Sequence, residues 1–131
     1  MNTTTQTKSK TFKLGQICCG NVGCTMSLPQ FYKVVRLTKA SVWFQPIHSQ
    51  LIEHDGYGQA GYKLPVDRPS GSVFRKARKT WKDSGQEYAF IKHCRALIEP
   101  WNGRAMLYDS YDYGGGGYKY YVTIYKLTID S

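Results

Sequence analysis

No apolar run in this sequence approaches the ~18 residues that a membrane-spanning helix needs. The N-terminus, MNTTTQTKSK, lacks the apolar core of a secretory signal. Acidic residues are scarce: nine Asp and Glu stand against 18 Lys and Arg, a formal net charge of +9. None occurs before Glu53, and six basic residues precede it. The nine acids are scattered, without the closely spaced carboxylate pair that acid/base hydrolysis uses. No G-x-S-x-G, no H-E-x-x-H and no P-loop is present. His48, His54 and His93 could each serve as a base, but each stands alone. No catalytic residue is assigned, and no enzymatic activity is expected.

Metal chemistry is equally poor in signals. The four cysteines are Cys18, Cys19, Cys24 and Cys94, and the spacing C-C-x4-C fits no zinc-finger or zinc-ribbon pattern. His93 stands beside Cys94, but neighbours on a strand point to opposite faces. We expect reduced thiols of a cytosolic protein, with no metal and no cofactor.

What the sequence has is charge, aromatics and turns. Its 131 residues fit one domain, 41% hydrophobic and 15% aromatic, which argues against wholesale disorder. We read residues 1–10 as a disordered leader of an intracellular protein and 11–131 as a single β-rich domain, with 114–131 a C-terminal strand extension. A basic surplus raises affinity for polyanions: nucleic acid, nucleotides, acidic protein surfaces or anionic membrane.

Gly and Pro recur at short intervals between β-branched and aromatic runs, the pattern of many short strands. Thr11–Cys19 reads as a first strand and GNVGCTMSLP as a loop. Phe31–Thr38 and Ser41–His54 read as a hairpin turning at Lys39 and Ala40. Pro46 puts the second of these at an edge or gives it a bulge. Val35, Trp43 and Ile47 are expected in the core. Asp55–Ser72 reads as a long loop, functional or mobile. SVFRKARKTW, the turn KDSGQ and EYAFIKHCRA form a second hairpin. PWNG is a turn that exposes or anchors Trp101. One short helix is allowed around Lys92–Ile98.

The fold class that follows is mainly β: a small antiparallel sheet of five to seven short strands, curled into a barrel or packed as a sandwich. Seven of the eleven tyrosines lie between Tyr108 and Tyr125, around four glycines. From Tyr118 to Ile129 the alternation is that of a half-buried strand, with Tyr118 and Tyr120 facing the core. Lys119, Tyr121 and Tyr125 remain as candidate ligand or partner contacts, together with Tyr57 and Tyr62 of the long loop.

The candidate anion-binding residues lie mainly on one strand: Arg75, Lys76, Arg78, Lys79 and Lys82, with Trp81 among them. Arg75 and Lys79 share a face with Trp81; Lys76, Arg78 and Lys82 share the other with Phe74. Unpaired charge on both faces is incompatible with full burial. An exposed cationic strand ending in an aromatic suits phosphate contact with base stacking. The competing reading is an edge strand that uses lysine against aggregation. Lys33 and Arg36 add cations on the first hairpin.

Several segments together resemble small proteins encoded by bacteriophages and prophages: FYKVVRLTKASVWFQPI, DGYGQAGYKLPVD, VFRKARK, EYAFIKH and PWNGRAMLYDSY. In that group a Gly-rich loop, here CCGNVGCTMS, precedes a Phe/Tyr-Tyr-x-Val-Val-x-x-Thr strand, and a basic strand and a Trp-Asp/Asn-Gly turn follow. The resemblance covers about residues 14–112 and departs after Tyr113. It implies a phage or mobile-element origin and expression in the bacterial host cytoplasm, and it carries no catalytic residues across. The expected role is a non-catalytic protein that binds nucleic acid or a nucleotide. The alternative is a counter-defence or host-takeover protein that binds a host protein or sequesters a signalling nucleotide. No membrane partner is expected, and an exposed edge strand would make a homo-oligomer easy.

Overall fold

A computed structural model describes residues 10–23, 26–57, 59–91 and 96–110. Nine strands follow one another: β1 (Ile17–Asn21), β2 (Pro29–Leu37), β3 (Ser41–Ile52), β4 (Ala60–Pro69), β5 (Phe74–Ala77), β6 (Lys79–Thr80), β7 (Glu87–Phe90), β8 (Leu97–Pro100) and β9 (Met106–Asp109). All pair antiparallel in the order β6-β7-β8-β1-β2-β3-β4-β9, and β5 pairs with β3. The mainly-β class is as expected, and no helix occurs among the described residues. The strand count exceeds the five to seven expected, and the sheet is not closed into a barrel. The strand allowance for a helix near Lys92–Ile98 resolves in part: Leu97 and Ile98 open β8, and residues 92–95 lie outside the described ones.

β3 is long enough to pair with two strands in succession. Its first half pairs with β5 through Ser41–Phe44, and its second half pairs with β4 through Ile47–Ile52. Arg78 alone separates β5 from β6, and β6 pairs with β7 at the far end of the sheet. One run of chain thus reaches from the middle of the sheet to its end, and the sheet wraps a common core without a continuous ladder around it. Phe12, Cys18, Tyr32, Val34, Val42, Phe44, Ala89 and Ile98 form that core, with Leu37, Phe74 and Ile91 packed on it. Phe44 is at its centre, with ring centroids 5.5 Å from Phe12, 5.8 Å from Tyr32 and 5.7 Å from Phe74. Edge-on and tilted rings at such distances are favourable beyond the area they bury.

The first hairpin is where the turn residues put it: Thr38 N–H donates to Ser41 O, and the Ser41 N–H donates to Thr38 Oγ1. Pro46 carries a bulge beside it and not an edge, for the register with β4 shifts between Ile47 and His48. A second shift lies between Val34 and Arg36. A bulge changes which parity faces inward. Val34, Val42 and Phe44 belong to the one core cluster, while Val35 is 42% exposed and Trp43 is only partly buried; Ile47 is buried opposite Phe31, outside that cluster. Of the three expected core residues, only Ile47 lies inside.

Two other expectations change. The first strand begins at Ile17, because Gly15 has φ +81° and the Gln16 N–H turns back to Lys13 O. The long loop contains β4, a ten-residue strand. Its prolines are tolerated because β9 covers only Ala60–Lys63, leaving Pro65 and Pro69 beyond that pairing. The second hairpin forms only at its tip, as β6–β7, closed by the Trp81 N–H to Gln86 O, with Gly85 at φ +75°; the first half of its expected basic strand, Phe74–Ala77, pairs with β3 instead. PWNG turns as expected and anchors its tryptophan: Trp101 Nε1 donates to Arg104 O at 2.7 Å, and its ring meets Phe31 edge-on. The strand expected from Tyr118 to Ile129 lies outside the described residues.

Candidate functional site

The bulge at Val35 decides which residue faces Trp43. Beyond it, Arg36 stands opposite Trp43, and Trp43 stands opposite Arg75 on the other side of β3. Trp43 alternates with the buried Val42 and Phe44, so this rank lies on the outer face of the sheet. The Arg36 guanidinium sits 4.4 Å from the Trp43 ring centroid, a cation–π contact that orients both. Arg75 Nη1 donates to Ser41 Oγ at 3.1 Å, which holds its guanidinium along the same face. Lys33 is paired with Gln45, two residues from Trp43, and bonds Asp67 at 2.9 Å. With side chains 35% and 62% exposed, that ion pair is worth little in water and is open to exchange for a phosphate.

Other candidates on the basic strand have different duties. Arg78 is the clearest case. Its Nη2 and Nε donate to Glu87 Oε1 and Oε2 at 2.8 and 3.1 Å, and Nη1 donates to Thr38 O at 2.8 Å. Glu87 Oε1 also accepts the Phe12 N–H at 2.8 Å. This fork ties β7 to the N-terminal segment and to the first hairpin turn, and it occupies the donors that a phosphate would need. Lys76 lies on the Phe74 side, with its ammonium 5.9 Å from that ring.

Lys79, Trp81 and Lys82 lie on the second hairpin, exposed. Lys79 stands opposite Tyr88, and the Trp81 and Tyr88 rings stack at 4.4 Å with an interplanar angle of 21°. Tyr88 was no candidate in the sequence; the pairing of the hairpin across KDSGQ was the signal that could have found it. Glu87 was missed for the same reason.

Tyr57 is 82% exposed in the connection between β3 and β4. Tyr62 pairs with Ile52 and Leu107 and lines a shallow cavity of about 240 Å³ with Glu53, His54 and Asp55. Lys119, Tyr121 and Tyr125 lie outside the described residues. Among the described residues, no three His, Cys, Asp or Glu side chains come together as a metal-holding group. Nor is any helix long and apolar enough to cross a membrane.

The thiol and phenol inside the sheet are chemically quiet. Burial pushes the Cys18 thiol up, and Cys19 beside it adds to the effect. Burial also pushes the Tyr32 hydroxyl up to about 12, again with a smaller contribution from Cys19. Neither ionises near neutral pH, so neither supplies a nucleophile there. Comparison of the chain with protein-family models, with curated proteins and with solved structures finds no match.

Proposed function

We propose that this protein is a small, non-catalytic binder of nucleic acid or a nucleotide, using the outer face of β2, β3 and β5. The observation that carries the reading is the cross-strand rank Arg36–Trp43–Arg75, with Lys33 one step along. It combines donors suited to phosphate oxygens with an indole held among them. The chain's charge of +9 would steer a polyanion to this face. A phage origin and action in a bacterial host's cytoplasm are the setting we infer from the sequence resemblance.

The test is fluorescence anisotropy of a labelled oligonucleotide over a salt series, with Lys33, Arg36 and Arg75 all changed to Ala. Affinity should fall at least roughly tenfold, and the salt slope should shrink by about 2 if each cation meets one phosphate of a single strand. Unchanged affinity and slope would sink the reading. A second reading draws on Tyr57, whose exposed ring offers contact area at low entropy cost. There the chain is a counter-defence or host-takeover protein that contacts a host protein. Nuclease treatment of material recovered from bacterial lysate removes a nucleic-acid partner and leaves a protein partner, which gel electrophoresis distinguishes from a bound nucleotide.

A further inference from the structure

Exposure alternates along the basic run from Phe74 to Lys79, and every residue from Lys79 to Lys82 is exposed. Arg75, Ala77, Lys79 and Trp81 are all exposed, while Phe74, Lys76 and Arg78 are partly covered. At strand rise, Arg75 to Trp81 spans at most about 20 Å. Lys79 thus stands along the chain between Arg75 of the outer rank and the aromatic pair on the second hairpin.

That pair has a specific shape. Trp81 is 44% exposed although its ring is already stacked on Tyr88 at 4.4 Å and 21°. Phe90 is 46% exposed two residues beyond Tyr88, on the same side of β7, for Ala89 between them is in the core. Three rings, Trp81, Tyr88 and Phe90, thus lie on one hairpin, with Trp81 and Phe90 exposed. Lys79 stands across from Tyr88, and Lys82 follows Trp81, next to Asp83 in the turn. Trp81 is held by its backbone N–H to Gln86 O and by the Gly85 N–H to Trp81 O. The indole is thus preorganised, and ordering it on binding costs little.

We propose that the Trp81–Tyr88 stack is a base-stacking platform, so that the ligand is a single-stranded nucleic acid with unpaired bases and not a duplex. This rests on the polyanion reading above and deepens it. A base placed on the open side of Trp81 extends the existing stack, while Lys79 and Lys82 flank it for the adjoining phosphates. A duplex hides its base faces and offers this platform nothing.

An abasic strand tests the idea. Wild-type chain and the Trp81→Ala variant are titrated with a single-stranded oligonucleotide, the same strand with abasic sites, and the corresponding duplex, as DNA and as RNA. Wild type should prefer the normal single strand over the abasic strand and over the duplex. Trp81→Ala should lose roughly 5- to 150-fold on the normal single strand, the weight of one stacked base, and little on the abasic strand or duplex. Its salt slope should be unchanged, and Trp81→Phe should restore part of the loss. Equal losses of Trp81→Ala on normal and abasic strands, or duplex binding as tight as single-strand binding, would overturn the platform while leaving the polyanion reading intact. Absence of salt-dependent binding to every probe would remove that reading and the platform with it. The DNA and RNA arms identify which single strand is preferred. Trp81 is 44% exposed and lies at a turn, so a circular-dichroism check of the variant's fold completes the control.

Discussion

Replacing Arg78 by Ala should cost this protein its stability and not its ligand. Arg78 makes three hydrogen bonds, two of them in a fork to Glu87, and their side chains are only 20% and 11% exposed. Its removal leaves a largely buried carboxylate still held by the Phe12 N–H. Removing one partner of a fully buried pair costs about 3–5 kcal/mol. The partial exposure here puts the expected loss at the lower end, about 3 kcal/mol. For a domain of this size that corresponds to a drop in Tm of roughly 12 °C. In urea, with an m value of about 1.5 kcal/mol/M, the midpoint should fall by about 2 M. Glu87→Gln keeps an acceptor for Phe12 and should cost less than Arg78→Ala. Combining the two changes should cost less than their sum, because they interrupt one interaction. Urea unfolding followed by tryptophan fluorescence reads all three, and anisotropy of the folded variants reads ligand affinity. If Arg78→Ala unfolds within about 0.5 kcal/mol of wild type and oligonucleotide affinity collapses instead, Arg78 is a ligand cation and the reasoning is refuted.

Two further outcomes follow from burial and close packing. Tyr32 and Cys18 stay neutral in the folded sheet to a higher pH than in the unfolded chain, where they ionise near their ordinary values of 10.0 and 9.0. The unfolded chain then holds fewer protons, so stability from these groups is full below about pH 9 and declines as pH rises toward Tyr32's value of about 12. Urea midpoints that stay level up to that pH would contradict this. Gly20→Ala should destabilise by about 1–3 kcal/mol, because its Cβ would lie 2.7 Å from Leu97 O and force β1 away from β8. Gly71→Ala, whose Cβ would meet Pro46 Cγ at 3.4 Å, serves as the near-neutral control in the same unfolding assay.

Local signals in the sequence were sufficient for the mainly-β class, the Thr38–Ser41 hairpin, the KDSGQ hairpin and the PWNG turn. Each depends on residues near one another in the chain, where turn chemistry and β-branched alternation act directly. The cationic character of Val73–Lys82 was equally plain, but its division into β5 and β6, which pair with different strands, was not. β4 was hidden because Gly and Pro read as a loop until β3 and β9 supply pairing partners.

The sequence by itself determined that this chain is a basic, turn-rich β protein with cations interleaved among aromatics. Only the tertiary structure decided which cations are free to act. The register shift between Val34 and Arg36 set Arg36, and not Val35, opposite Trp43, which places Trp43 between Arg36 and Arg75. A contact nine residues away in the chain bound Arg78 to Glu87, while pairing across the same hairpin laid Trp81 on Tyr88. Parity along one strand is legible in sequence. A bulge shifts that parity, and partners are chosen across strands, through distances that close only when the sheet has curled around Phe44.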